Sequence, residues 1–185
     1  LPRFDRTAFA EACIATRIGA GHIGGKAHGL VRANRILKRA FPDGRLGDVV
    51  VSIPRFCVLT TDVFDRFMQA NDLHDMAFSG APDLRIAHAF QRADFPAELV
   101  GDVRALVNST KEPLAVRSSS LLEDALQRPF AGVYETKMTP NNQHDPAERF
   151  RKLIEAVKFV YATTFFANAR GYIRATEHDA RDEKM

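Results

Sequence analysis

The stretch "IGAGHIGGKAHGLVRANRILKRAF", residues 18–41, decides how the rest of the chain is read. Glycines stand at 19, 21, 24 and 25, and a lysine follows at 26. Beyond them Leu30, Ala33, Leu37 and Phe41 recur at helical spacing, so the glycines form a turn that opens an amphipathic helix. "GAGHIG" is literally Gly-x-Gly-x-x-Gly, a dinucleotide pattern when a strand leads in and an acid closes the next strand. The preceding "DRTAFAEACIATR" spaces Phe9, Ala12, Cys13 and Thr16 like a helix, with Asp5 or Thr7 as its cap, and Arg17 interrupts it. The next strand ends at Ile53-Pro54 with no acid. A dinucleotide site is therefore not expected. A P-loop is excluded as well, because the required first glycine and the magnesium-binding hydroxyl are replaced by Ala20 and Ala27.

What remains is Gly24-Gly25-Lys26 at a helix start. A flexible turn with a solvated lysine is one reading. Against it, a cation in the first turn opposes the helix dipole by about 0.3–1 kcal/mol. A bound anion reverses that sign, since free N–H groups, glycine backbone and the lysine charge would all face it.

Outward from this turn, "VVVSI" and "FCVLT" read as strands broken by Pro54 and Arg55. Thr61 or Asp62 caps the helix "VFDRFMQAND", and "MAFSGAPD" is a loop. Two short helices are expected over residues 84–110, the second opening at Phe95-Pro96 with Leu99, Val103, Leu106 and Val107 inward. "PLAV" is a short apolar strand, "GVYETKM" alternates like a strand with one wet face, and "TPNNQHDP" is a loop. From Ala147 to about Arg174 a stripe of Phe150, Leu153, Ile154, Val157, Val160, Tyr161 and Phe165 marks helix. The order predicts an α+β (or mixed α/β) domain with an open mixed sheet and flanking helices.

The second informative stretch is "PLAVRSSSLLEDALQRPFAGVYET", residues 113–136. Ser120 and Glu123 fit a capping box. Arg117 ends the apolar strand, where α/β folds place ligands, and its fork of donors matches phosphate oxygens. A structural ion pair with Glu123 or Asp124 is the alternative. Phe130-Ala131-Gly132 adds a second glycine turn beside the same strand, which completes a candidate phosphate cradle.

Composition narrows the classes. The 185 residues carry a net charge of +3, with basic residues interleaved among acids rather than gathered in a stripe, which argues against a nucleic-acid partner. The two cysteines, Cys13 and Cys57, form no Cys-x-x-Cys pair, and Cys57 in "FCVLT" reads as a small core residue. No apolar run approaches the 18 or so residues of a membrane span, so a soluble, cytoplasmic chain with no membrane partner is expected. The chain opens on Leu1 and stops in a charged run, as a segment of a longer protein would.

Three ordered motifs carry a family resemblance. "GGKAHGL" and "VRSSSLLEDALQRPFAGVYET" resemble the first and second motifs of the phosphoenolpyruvate synthase and pyruvate, phosphate dikinase nucleotide-binding domain, and "IPRFCVLTTDVFDRFM" resembles the segment between them. Order and spacing agree over about residues 20–175. The resemblance implies an ATP-grasp-like lobe that closes over ATP and Mg2+. It implies transfer of a phosphoryl group to a histidine on a swivelling domain of the same full-length chain. From there the group would pass to an acceptor: pyruvate, or an antibiotic or glucan in relatives. By position, Lys26 and Arg117 would contact ATP phosphates, Gly132 would offer backbone to the nucleotide, and Thr136 would contact it from the next strand. Gly24, Gly25 and Ser118 would support the phosphate loop.

The metal carboxylates and a further arginine of the family lie beyond residue 185, and none of the six histidines sits in the phosphoryl-carrier context. His22 and His28 read as loop and helix-surface residues. Residues 1–185 are thus expected to be a single fragment of the N-terminal nucleotide-binding domain, without catalytic residues or metal ligands and without the phosphohistidine and acceptor domains. Arg55, Pro129 and Leu121-Leu122 depart from the family pattern and leave the acceptor open. The alternative is a non-catalytic nucleotide-sensing or interaction module derived from the same lobe.

Overall fold

The computed structural model describes residues 1–7, 13–120, 132–175 and 184–185. The glycine turn is entered by a strand, β1 (Ala15–Ile18), and opens helix α1 (Gly24–Ala40). A small hairpin of β2 (Arg45–Leu46) and β3 (Val49–Val50) follows, then β4 (Phe56–Leu59). Next come α2 (Thr61–Ala70), α3 (His74–Phe78), α4 (Asp83–Arg92) and α5 (Ala97–Ser109). The chain continues through β5 (Leu114–Arg117), β6 (Thr136–Thr139), α6 (Pro146–Thr163) and α7 (Ala167–Ala175). This is the expected α+β class. Parallel and antiparallel ladders are both present, distributed over three two-stranded sheets: β1 with β4, β2 with β3, and β5 with β6.

The helix expected to end at Arg17 is not what forms there. Ala15 to Ile18 pair in parallel with Phe56 to Leu59, and Arg3 bridges to Arg17. Ala15, Thr16 and Ile18 are buried, as in a strand covered on both faces, where polar alternation disappears and a short run loses its signature. Residues 8–12 of that expected helix lie outside the described residues. α1 starts where expected, but it buries only Gly24 and Ala27. Its apolar stripe is partly open, with Leu30 and Ile36 exposed, and so are Leu46, Val49 and Val50 of the hairpin. That hairpin replaces the turn expected at "PDGRLGD" and the longer "VVVSI" strand. α3 forms where "MAFSGAPD" is expected to begin a loop.

The core lies among the later helices. Phe64 and Phe67 of α2 meet Phe90 of α4, Tyr161 of α6 and Phe165 just beyond it, with ring centroids 5.0–6.3 Å apart. Such aromatic pairs add about 0.5–1.5 kcal/mol each beyond the area they bury. α6 forms on strong local signals. The Asp145 side chain accepts from the Ala147 amide at 2.9 Å, Pro146 fills the first turn, and Leu153, Ile154, Val157 and Val160 lie buried on one face. The helical run predicted to Arg174 is broken at Thr164–Phe166 into α6 and α7.

α6 also packs on β5 and β6, and through them it fixes the second motif. Arg149 of α6 is buried, and its Nη1 donates to the carbonyls of Val107 and Thr110 at 3.1 and 3.2 Å. Asn141 donates to Thr110 and Glu112 carbonyls at 2.8 and 3.1 Å. These four bonds satisfy carbonyls at and beyond the end of α5 and hold the approach to β5, so the strand carrying Arg117 starts from a fixed point.

Candidate functional site

β5 and β6 run antiparallel with Arg117 directly opposite Thr136. Cross-strand partners share a face, about 5 Å apart at Cβ, so two sequence-predicted residues stand side by side. Both are exposed, on the face opposite the packed Leu114 and Val116. Exposed Ala115 and Met138, the next pair along that face, continue it as an apolar floor. Among the described residues no ion pair or side-chain hydrogen bond engages the Arg117 guanidinium. Glu123 and Asp124, its alternative partners, lie outside the described residues, as do Phe130 and Ala131. Gly132 has φ +76° and open space where a Cβ would stand. Glycine is favoured there by backbone conformation, and its backbone is accessible.

The three serines after Arg117 dock on the start of α1. Lys26 Nζ donates to Ser118 Oγ at 3.0 Å, so the predicted lysine touches the residue next to the predicted arginine. Ser119 Oγ accepts from the Ala27 amide at 3.0 Å and donates to the Ile23 carbonyl at 2.8 Å. The Ser120 carbonyl accepts from the Gly25 amide at 2.9 Å. Gly24, at φ +71°, runs so close to this segment that an added Cβ would lie 1.6 Å from the Ser119 carbonyl oxygen. No other residue fits there without moving the backbone.

Ser119 thus caps a helix start 92 positions away. The Ser120 capping box with Glu123 falls outside the described residues. The amides expected to be open to an anion are also engaged from within the chain. Besides Gly25 and Ala27, the Ala20 and Gly21 amides donate to Asp62 Oδ1 at 3.0 and 2.7 Å, and the His22 amide donates to Thr61 Oγ1 at 3.0 Å. In the candidate cradle Arg117 is exposed and Lys26 is half-buried against Ser118, while five amides of the turn and helix start are taken up within the chain.

Asp62 is the site-forming residue that sequence reasoning misses. Its position suggests only a cap for α2, whose N-cap is Thr60. The single Thr60 hydroxyl proton is shared between the Ile18 carbonyl, at 3.0 Å, and Asp62 Oδ1. Burial alone would raise the Asp62 carboxyl. Hydrogen bonds from Thr60, Gly21, Ala20 and Arg66 outweigh that and hold it down at about 2. The strand before the turn and an acid just beyond the parallel strand are thus both present, contrary to the expectation from sequence. The dinucleotide pattern still fails, because that acid is spent on the turn itself. Cys57 is half-buried against the core as expected, and burial pushes its thiol up to about 11. His22 and His28 are exposed.

A strand, a glycine turn held from both sides and the β5–β6 pair with its following serines thus bring Lys26 and Arg117 into one region. The family model described as pyruvate phosphate dikinase, AMP/ATP-binding domain, matches residues 20–185, and the chain belongs to that family. No curated protein and no solved structure matches the chain. Among the described residues no three His, Cys, Asp or Glu side chains cluster as a metal site. No described helix is long and apolar enough to cross a membrane.

Proposed function

We propose that this chain is the ATP-binding part of a cytoplasmic phosphotransferase of the phosphoenolpyruvate synthase or pyruvate, phosphate dikinase type. Its ATP-grasp-like lobe binds ATP, and the full-length protein moves a phosphoryl group to a histidine on a swivelling domain and then to an acceptor such as pyruvate. The observation that carries this is the junction of Lys26 with Ser118 beside Arg117, opposite Thr136, in a chain of that family. Lys26 and Arg117 supply positive charge and donors to the phosphates. Thr136 and the backbone at Gly132 meet the rest of the nucleotide, while Gly24, Gly25 and Ser118 hold the lysine in place. Such transfer depends on positioning and charge stabilisation rather than covalent chemistry by this lobe. The ligands for Mg2+, which would neutralise phosphate charge, are expected outside these residues, and the carrier histidine belongs to another domain.

Incubation of the full-length protein with γ- and β-labelled ATP tests the reading. Label on histidine supports the enzyme and shows which phosphate moves. ATP binding without any labelled histidine would overturn the transfer step and leave a nucleotide-sensing module.

A further inference from the structure

The glycine turn is held by a carboxylate, and the placement of that carboxylate carries an inference of its own. Asp62 sits in the first turn of α2, immediately after the strand that pairs with β1. Its Oδ1 accepts from two successive amides of the turn, Ala20 and Gly21, the arrangement in which backbone amides bind an anion. Thr61 takes the next amide, His22, through Oγ1, and the Thr61 amide returns a bond to the His22 carbonyl at 3.0 Å. Arg66, one helical turn on, pairs with the outer oxygen Oδ2. On the far side, residues 118–120 take Lys26, Ala27 and Gly25. The turn that launches Lys26 is therefore gripped from two separate parts of the fold.

We propose that Asp62 is a positioning residue for the nucleotide site: its carboxylate stands in for a bound anion in the Ala20–Gly21 amide pair and so fixes where Lys26 leaves the turn. The proposal rests on the ATP-binding function and adds a residue that does not itself touch the nucleotide. It makes the turn a rigid mount for the lysine rather than a phosphate cradle. A free amide pair with no carboxylate would leave that side of the turn held by Thr61 at His22 and by the Arg17 guanidinium at the Gly19 carbonyl. The lysine would then be presented over a spread of positions, and small misplacements of a binding group cost large factors in function.

The full-length protein tests this with Asp62→Ala and Asp62→Asn, since the asparagine carbonyl can still accept both amides. In D62A, hydrogen exchange at Ala20 and Gly21 should quicken, and the ATP dissociation constant should rise roughly tenfold, while D62N stays within about threefold of wild type on both. In a Lys26→Ala background D62A should add nothing further. In an Arg117→Ala background it should still add about its full factor, because only the lysine shares the mount. Tighter ATP binding by D62A would overturn the proposal, since it would mean that the carboxylate merely guards amides meant for phosphate. Equal losses in both backgrounds would overturn it too, as a general structural role. Amide exchange is read without ATP. Wild-type protein that bound no ATP would therefore overturn the nucleotide reading, and unchanged exchange in D62A with ATP binding intact would overturn the clamp alone.

Discussion

Replacing Ser119 by Ala removes one oxygen that serves both ends of a bond pair: it accepts from the Ala27 amide at 3.0 Å and donates to the Ile23 carbonyl at 2.8 Å. Both backbone groups belong to the start of α1, and Ile23 has no side-chain cap of its own. Loss of a side chain that caps a helix start costs about 0.5–2 kcal/mol. Ser119 is half-buried, so water reaches the orphaned amide only in part, and opening the first turn becomes easier by about 1–1.5 kcal/mol. Native-state hydrogen exchange at the Ala27 amide reads that opening directly, and about 1–1.5 kcal/mol corresponds to exchange faster by roughly five- to tenfold. Amides in the middle of α6, which does not lean on this contact, should keep their rates. Ser119→Thr, which keeps the hydroxyl, should change little. An unchanged Ala27 rate in S119A would refute the capping of α1 by the second motif. Equal acceleration in α6 would refute its locality.

Other outcomes rest on neighbouring contacts. Because the folded Asp62 carboxyl lies at about 2, below its ordinary value near 3.8, its contribution is complete above pH 4 or so and is lost as pH falls towards 2. Allowing for partial exposure, it should be worth about 1 kcal/mol, seen as a urea midpoint that drops more steeply between pH 4 and 2 in wild type than in D62N. Parallel curves for the two proteins would contradict this. Arg149→Met keeps the aliphatic stem but leaves the Val107 carbonyl without its side-chain donor, and it should cost about 1–3 kcal/mol in urea denaturation. A midpoint equal to wild type would show that Arg149 does not hold the end of α5.

What the sequence made legible was local. α6 announced itself through Asp145-Pro146 and an apolar stripe, and α5 through Phe95-Pro96, because cap, turn and periodicity all lie within a few residues of the element they specify. β1 was not legible, because Phe9, Ala12, Cys13 and Thr16 satisfy helical spacing. What makes Ala15–Ile18 a strand is a ladder to residues some forty positions on. The candidate cations are legible locally, Lys26 after glycines at a helix start and Arg117 at a strand end. The contacts that arrange them are not: Ser119 reaches across 92 positions and Asp62 across 41, and no local pattern encodes such a pair. A serine after an arginine resembles a cap for the segment on its C-terminal side, and an aspartate before a helix resembles a cap for that helix. Only the fold shows that both serve the same glycine turn.

The most direct test of the central claim is calorimetric titration of ATP into the full-length protein, its Arg117→Ala variant and its Lys26→Ala variant. With charge-assisted bonds to phosphate worth about 1.5–3 kcal/mol each, either substitution should weaken ATP by roughly tenfold to a hundredfold while the thermal midpoint without ATP stays close to wild type. ATP affinity unchanged in both variants would contradict the placement of the phosphates at the Lys26–Arg117 junction.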